Sequence, residues 1–519
     1  MLRAASLVLL VAGAAGCGRA PRAKAARTLR VHVEAEPPTL NPLVEHDAWT
    51  SWLALGAIYD PLVREDARGA IAPCLSMHWR WKDARTLRME LRPGVRWHDG
   101  RPFTADDVVA TFARLREPGA SGDLRADFAE LASVEREGSL AVTLRFARPA
   151  PLALQALAHL AILPAHRFGP SLTSGDLRSQ PASRAPVGTG PFRFVEWRPG
   201  ERIVVERAPD YWGPRPGVDR IELRIVPDRE AALELFRRGE LDLLWQLAPS
   251  QIERAGSLKN ARMIRWLLPR YGFVVWNAAR PGLGDRRVRQ ALTMLTDRAR
   301  YLEAVYHGRA RRVTGPYPLG SPSYDETVAP WPFDPARARA LLDEAGVVDR
   351  DGDGVREVDG RPFRIALLVN SGSAVLQPLA TMMQEDFRRA GVLLEPLPVD
   401  WATLLDRLRR HAFDAASLQW VMQPVQDNFP LFHSSQADGG QNYGGFRSDA
   451  VDALLERLRS LPPGPERTAA ERALHRLIHE EQPYTFLGSP EVVSLVAARV
   501  HGFAPDGSGL GLPSISVDP

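Results

Sequence analysis

An α/β protein of more than one lobe is predicted by three features of the 519-residue sequence. Alternating strands and amphipathic helices are mixed along the whole chain. The chain exceeds what one hydrophobic core supports. Its composition, 45% apolar and 25% charged, is that of an ordinary globular protein.

The first residues are of another kind. Met1-Leu2-Arg3 supplies a positive charge, Leu7 to Ala12 a short apolar run, and Ala14, Ala15 and Gly16 small residues before Cys17. The run falls short of the ~20 apolar residues needed to span a bilayer. It reads as a secretory signal and resembles a bacterial lipobox, which makes residues 1–17 a signal ending at a lipidated Cys17. The Ala-, Arg-, Pro- and Lys-rich residues 18–27 read as a tether. Cys74 then has no partner, so no disulfide framework is expected and a buried, inert thiol is.

Along the remaining chain, Leu29, Val31 and Val33 predict a strand that ends before Pro37-Pro38. Leu87, Met89 and Leu91 predict a second, which turns at Pro93-Gly94 and returns through Val95 and Trp97 as a hairpin. Two more are read from Leu140 to Phe146 and from Ile221 to Ile225. Thr104 with Asp107 three residues on forms a capping-box pair for a helix buried through Val108, Phe112 and Leu115. Asp285 caps one long helix running through Val288, Leu292, Leu295, Leu302 and Val305. Asp334-Pro335 opens another, closed by Gly346. A further helix carries Val451, Leu454, Leu455 and Leu458. Breaks fall near residue 70, Ser183 to Pro186, Arg280 to Gly284 and Pro483.

The charge pattern excludes one class of partner. The formal net charge is only +4, and the basic residues are interspersed with Asp and Glu, so no nucleic-acid surface is expected. Catalysis finds no Gly-x-Ser-x-Gly elbow, phosphate loop or cysteine beside a histidine, and an exported hydrolase is the remote alternative. Asp349, Asp351, Asp353 and Gly354 resemble the start of an EF-hand loop, but position twelve is Gly360 instead of the bidentate Glu, so no metal is assigned. His475 and His479 share a helical face without a third metal ligand and read as exposed histidines. No cofactor is expected.

Several stretches, in order, carry a family resemblance: Glu36-Pro-Pro-Thr-Leu-Asn-Pro42, Leu91-Arg-Pro-Gly-Val-Arg-Trp-His-Asp-Gly-Arg-Pro-Phe-Thr-Ala-Asp-Asp-Val108, Val187-Gly-Thr-Gly-Pro-Phe192, Ala208-Pro-Asp-Tyr-Trp-Gly213, Asp285 to Leu292 and Gln482-Pro-Tyr484. Together they resemble the extracytoplasmic solute-binding proteins of family 5, which serve ABC importers of oligopeptides, dipeptides and nickel. The resemblance implies a two-lobed periplasmic-binding-protein clamp of type II, similar to cluster C, with an additional domain inserted in the first lobe. It places lobe I at 28–70, 186–280 and 486–519, the additional domain at 71–185 and lobe II at 281–485. It implies a peptide or other small organic solute as ligand, ABC permease subunits as partners, attachment to the membrane through the lipid, and a monomer. A sensor without an importer has the same sequence features. The signature residues Gly94, Gly100 and Thr104 read as turn and cap residues.

Peptide-binding relatives place an acidic residue three positions after a tryptophan, where it holds the peptide ammonium. Here Trp420 is followed by Gln423, and Asp427 lies four residues further on. By this resemblance Trp420, Gln423, Asp427, Asn442, Tyr443 and Tyr484 are the candidate ligand-binding residues. Gln423 lacks the ion-pair contribution, which admits sugars, blocked peptides or another organic solute.

Two expectations follow. Cys17→Ser removes the thiol that accepts the lipid and should move the protein from the membrane fraction to the soluble one; unchanged fractionation removes the anchor. Gln423→Asp buries an unpaired carboxylate against the native ligand and should weaken its binding in calorimetry. A gain of about 1–3 kcal/mol confined to peptides with a free amine would reverse that expectation.

Overall fold

The computed structural model describes residues 26–44, 48–66, 70–117, 119–168, 177, 180–422, 426–505 and 514–518. Cys17 and Gln423 lie outside the described residues. The chain is a two-lobed α/β clamp, organised around two principal sheets.

The first sheet runs in the order Ala261–Leu267, Gly488–Ala497, Leu243–Leu244, Thr28–Val33, Arg220–Ile225, Arg202–Arg207 and Phe192–Arg198, with Ala310–Arg312 added against the start of Gly488–Ala497. Thr28–Val33 lies parallel to both of its neighbours. Leu29, Val31 and Val33 are fully buried, as their alternation predicts, but His32 is buried too. A parallel strand covered on both faces buries both sets of side chains. His32 meets this with a bond between Nε2 and the Val226 carbonyl at 2.9 Å.

The second sheet runs Leu393–Val399, Arg364–Asn370, Ala415–Val421, Arg270–Trp276 and Tyr484–Phe486. Val274, Trp276, Ile365, Leu367 and Val369 face one core, shared with the helices Arg286–Leu295, Pro335–Glu344 and Leu376–Arg388. Tyr271, Phe273, Val275, Leu368 and Leu418 face another, shared with Trp401–Arg409, Asp449–Ser460 and Pro465–Glu481. The lobe is thus a sheet between two helical layers.

A third, antiparallel sheet orders Ser76–Asp83, Thr86–Leu91, Ala141–Phe146 and Leu131–Arg136. Its buried residues Leu87, Met89, Val142 and Leu144 belong to the same continuous core as Leu29, Val31 and Ile221. The signature segment is built around Asp107, which accepts from Trp97 Nε1 (3.2 Å), the Thr104 amide (2.9 Å) and the Ala165 amide (2.8 Å). The predicted capping box is present, and the segment's role is structural.

The predicted hairpin is corrected. Thr86–Leu91 pairs with Ser76–Asp83 and Ala141–Phe146, while the chain past Gly94 closes on itself, Phe103 N donating to Val95 O (3.0 Å) and Trp97 N to Arg101 O (2.8 Å). The single helix read from Asp285 is two, Arg286–Leu295 and Arg298–Tyr306. Thr296 turns extended at ψ 107°, and Asp297 starts the second helix by accepting from the Arg300 amide at 2.9 Å. Thr-Asp was a cap inside an unbroken apolar stripe.

The histidine reading is also corrected. His475 is fully buried and His479 half-buried. The Asp325 amide donates to His475 Nδ1 at 3.0 Å, which leaves Nε2–H to donate to Thr314 Oγ1 at 2.8 Å. His479 Nδ1 donates to the Thr314 carbonyl at 2.9 Å. Both clamp the segment around 314–325 onto the helix Pro465–Glu481. Burial, with a smaller push from His479, lowers the His475 pKa to about 4, so the folded protein holds it neutral. An unfolded histidine takes up its proton near pH 6.5. The folded state therefore loses stability as pH falls from about 6.5 towards about 4, by on the order of 3 kcal/mol from this group. Denaturant unfolding of wild type and His475→Gln at pH 7.5 and 4.5 should show the variant less stable at both but with a shallower loss on acidification; equal slopes would refute it.

Candidate ligand-binding crevice

The chain passes between the two principal sheets twice at one place. Ala261–Leu267 continues through Leu268 and Pro269 into Arg270–Trp276, and Tyr484–Phe486 continues through Leu487 into Gly488–Ala497. Backbone and side-chain bonds tie the crossings together: Leu268 N donates to Pro490 O (3.1 Å), Ser489 Oγ to Leu268 O (2.8 Å) and Leu487 N to Gly272 O (2.9 Å). Met422 N donates to Pro269 O at 2.7 Å, which brings the end of Ala415–Val421 to the same point.

Both sheets turn the carboxyl ends of their parallel strands towards this hinge. In the second sheet Arg364–Asn370 is parallel to Leu393–Val399 and to Ala415–Val421, and Val421 pairs with Arg270 at the crossing. In the first, Leu244 at the end of its strand pairs with Leu495, so the hinge end of Gly488–Ala497 projects beyond it. Crevices outside the carboxyl ends of such strands are where open α/β sheets bind ligands.

Three candidate residues meet here. Trp420 sits opposite Tyr271 in register, and Tyr484 opposite Val275. Phe273 stacks between them, 4.3 Å from Tyr484 at 20° and 5.9 Å from Trp420 at 13° between ring centroids. Trp420 Nε1 is buried short of a well-formed hydrogen bond, with the Tyr484 hydroxyl beside it. Burial, and then the neighbouring Tyr443 hydroxyl, push the Tyr484 pKa up, so it is a neutral phenol. Tyr443 packs on the same core half-buried, its carbonyl accepting from His411 Nδ1 at 2.9 Å.

The other candidates are placed differently. Asn442 is buried and closes a turn: Nδ2 donates to His433 O (3.2 Å) and Phe446 O (2.8 Å), and Oδ1 accepts from Phe446 N (3.1 Å). Asp427 accepts from the Phe429 amide at 3.0 Å and pairs with Arg459 at 3.2 Å, the bonds of a helix-start and surface residue. Gln423 lies outside the described residues. The carboxylates of Asp349, Asp351 and Asp353 converge within 4.8 Å but are exposed, and they accept the amides of Gly352, Gly354, Asp353 and Val355.

The first lobe contributes residues that sequence reasoning missed. Trp245 follows Leu244 at the carboxyl edge and packs against Trp266 (4.6 Å) and Trp49 (6.2 Å), with Trp52 beyond Trp49 (5.7 Å). Trp266 Nε1 donates to Ser494 Oγ (3.1 Å), which donates to Trp245 O (2.6 Å). The signal was the count of 13 tryptophans, which carries no position. The crevice thus has a cluster of tryptophans on the first lobe, Trp420 with Phe273 and Tyr484 on the second, and no set of nucleophile, base and oxyanion donors assembled within it among the described residues.

Residues 70–442 match the family described as bacterial extracellular solute-binding proteins, family 5 Middle. Oligopeptide-binding protein AppA of Bacillus subtilis (strain 168) is 29% identical over 421 residues, 80% of this chain and 77% of that protein. Heme-binding protein A of Haemophilus influenzae is 26% identical over 89% of this chain and 87% of its own. The solved structure of AppA from Bacillus subtilis in complex with a nonapeptide aligns at TM-score 0.75 and 27% identity, covering 95% of this chain and 99% of that one. These are extracytoplasmic binding proteins, not enzymes. With the match spanning most of its length and the two-lobed fold agreeing, the chain belongs to family 5 of the bacterial extracellular solute-binding proteins.

Proposed function

We propose that the chain is the substrate-binding lipoprotein of an ABC importer, which captures a peptide or peptide-like solute between its lobes by hinge closure and delivers it to the permease. The observation that carries this reading is the double strand crossing with aromatic side chains on both facing edges. A hinge of a few residues lets two rigid bodies close on a solute. The names of relatives that bind oligopeptides support the ligand class. The lobes divide at Leu268-Pro269 and Leu487, because Arg270–Trp276 belongs to the second sheet, earlier than the break near 280 in the sequence. Lipid attachment at Cys17 holds the clamp at the outer face of the membrane that carries the importer. No helix among the described residues is long and apolar enough to cross a membrane.

A non-peptide organic solute is the second reading, favoured by the relative named as a heme-binding protein. Native mass spectrometry of the purified chain should find a noncovalent solute of a few hundred daltons, and its fragmentation separates peptide from other classes. Turnover products of that solute would sink the binding-only reading. Trp420→Ala removes an aromatic wall and should weaken the solute by about 1–3 kcal/mol in calorimetry, roughly 5- to 150-fold in Kd, while thermal unfolding keeps a single folded baseline. Unchanged affinity would move the site away from Trp420.

A further inference from the structure

Arg270 opens the strand that leaves the hinge, and its guanidinium has a singular environment. Its Nη1 donates to Gln419 Oε1 at 3.3 Å, and Gln419 Nε2 in turn donates to the Tyr306 hydroxyl at 3.4 Å. Its Nε is buried with no partner. No carboxylate among the described residues pairs with it, and burial, its largest perturbation, lowers its pKa.

The other deeply seated arginines are matched. Arg289 donates to the carbonyls of Leu283, Gly284, Glu481 and Gln482 and lies near the Glu481 carboxylate. Arg467 pairs with Glu471 at 2.8 Å and donates to two helix-end carbonyls. Arg356 pairs with Asp343 at 2.6 Å and donates to the carbonyls of Ala390 and Val347. Arg298 donates to the carbonyls of Phe486 and Trp331. Taking a cation out of water without a counter-charge is costly. Arg298 also lacks a paired carboxylate but has two carbonyls, whereas Arg270 has one 3.3 Å bond to an amide oxygen, which leaves room for a partner from outside.

The position says from where. Arg270 is one residue from the crossing at Leu268-Pro269, and Val421, opposite it in register, is 69% exposed. The Val421 end of the sheet therefore opens to solvent beside the crossing, on the face opposite Tyr271 and Trp420, with an apolar side chain next to the cation. The aromatic residues gathered on the two walls are neutral, and Asp427 is already paired with Arg459. A guanidinium offers two parallel N–H groups that match a carboxylate.

We propose that Arg270 anchors a carboxylate carried by the ligand, so that this clamp selects anionic solutes; the inference rests on the crevice being the ligand site. The test exposes the full-length wild type, Arg270→Gln and Arg270→Lys to one random tripeptide pool in free-acid form and to the same pool amidated at the C-terminus. Retained peptides are read by mass spectrometry after gel filtration. Wild type should retain the acids over the amides by about tenfold, the value of a charge-assisted bond. The glutamine variant should lose that preference, and the lysine variant keep part of it. Equal retention of acids and amides by wild type, or an undiminished acid preference in the glutamine variant, overturns the proposal. Should wild type retain neither pool, the peptide reading fails and a second arm decides this one: the three proteins are passed through an envelope extract and the charge of the retained solute is read. An anionic solute lost from the glutamine variant supports the anchor. A neutral or cationic solute, one held equally by all three proteins, or none at all overturns it. Unaltered thermal unfolding of the lysine variant excludes misfolding as the cause of a lost preference.

Discussion

The constraint on which the rest of this structure depends is the joining of its lobes by two neighbouring strands with almost nothing between the sheets. Each crossing leaves only one or two residues between strands of different sheets, Leu268 and Pro269 in one and Leu487 in the other, and short segments of this kind are where lobes hinge. Gly488 shows how close the approach is. A Cβ there would stand 2.8 Å from Leu302 Cδ2 and 3.0 Å from the Arg311 carbonyl, because Ala310–Arg312 lies against the strand just past the hinge. Trp266 and Trp420 hang from strands that run into this joint.

That geometry also explains why the first lobe is the heavier body. The antiparallel sheet and the first principal sheet share one core, in which Leu87 and Val142 pack with Leu29 and Ile221. A shared core packs the two as one body, and the second lobe, with its own helical layers on both faces, is another. In the family signature, Trp97 and the Ala165 amide are tied together through Asp107 within the heavier body.

Much of this was legible because local chemistry and the global fold agree. Thr104 and Asp107 formed the expected capping box, Asp334-Pro335 and Gly346 bounded their helix, and Leu29, Val31 and Val33 are buried. Where reading failed, a tertiary fact outweighed a periodic one. Asp297 interrupted an apolar stripe that continues in sequence on both sides. His475 was read as exposed because its own helix does not reveal the distant segment around Thr314 that covers it. Trp49, Trp245 and Trp266 come from three separate stretches and meet only in space. Trp420 and Tyr484 were named through the resemblance; the strand register that makes them neighbours of Phe273 was not legible.

Placing cation and aromatics at the hinge edge has an energetic consequence for the clamp. A ligand shifts an open–closed equilibrium only by its difference in affinity for the two states. In a clamp hinged as proposed, groups beside the hinge move little between states, so contacts of a solute to Arg270 and Trp420 would contribute similarly in both. Trp266, two residues before Leu268, belongs with those hinge-side groups, so the difference has to come from side chains farther from the crossing. On the proposed reading, a solute that touches only the groups beside the crossing does not itself favour closure, and one that spans both lobes does. A clamp divided in this way holds its solute strongly only when both walls are engaged, and releases it when the lobes are drawn apart.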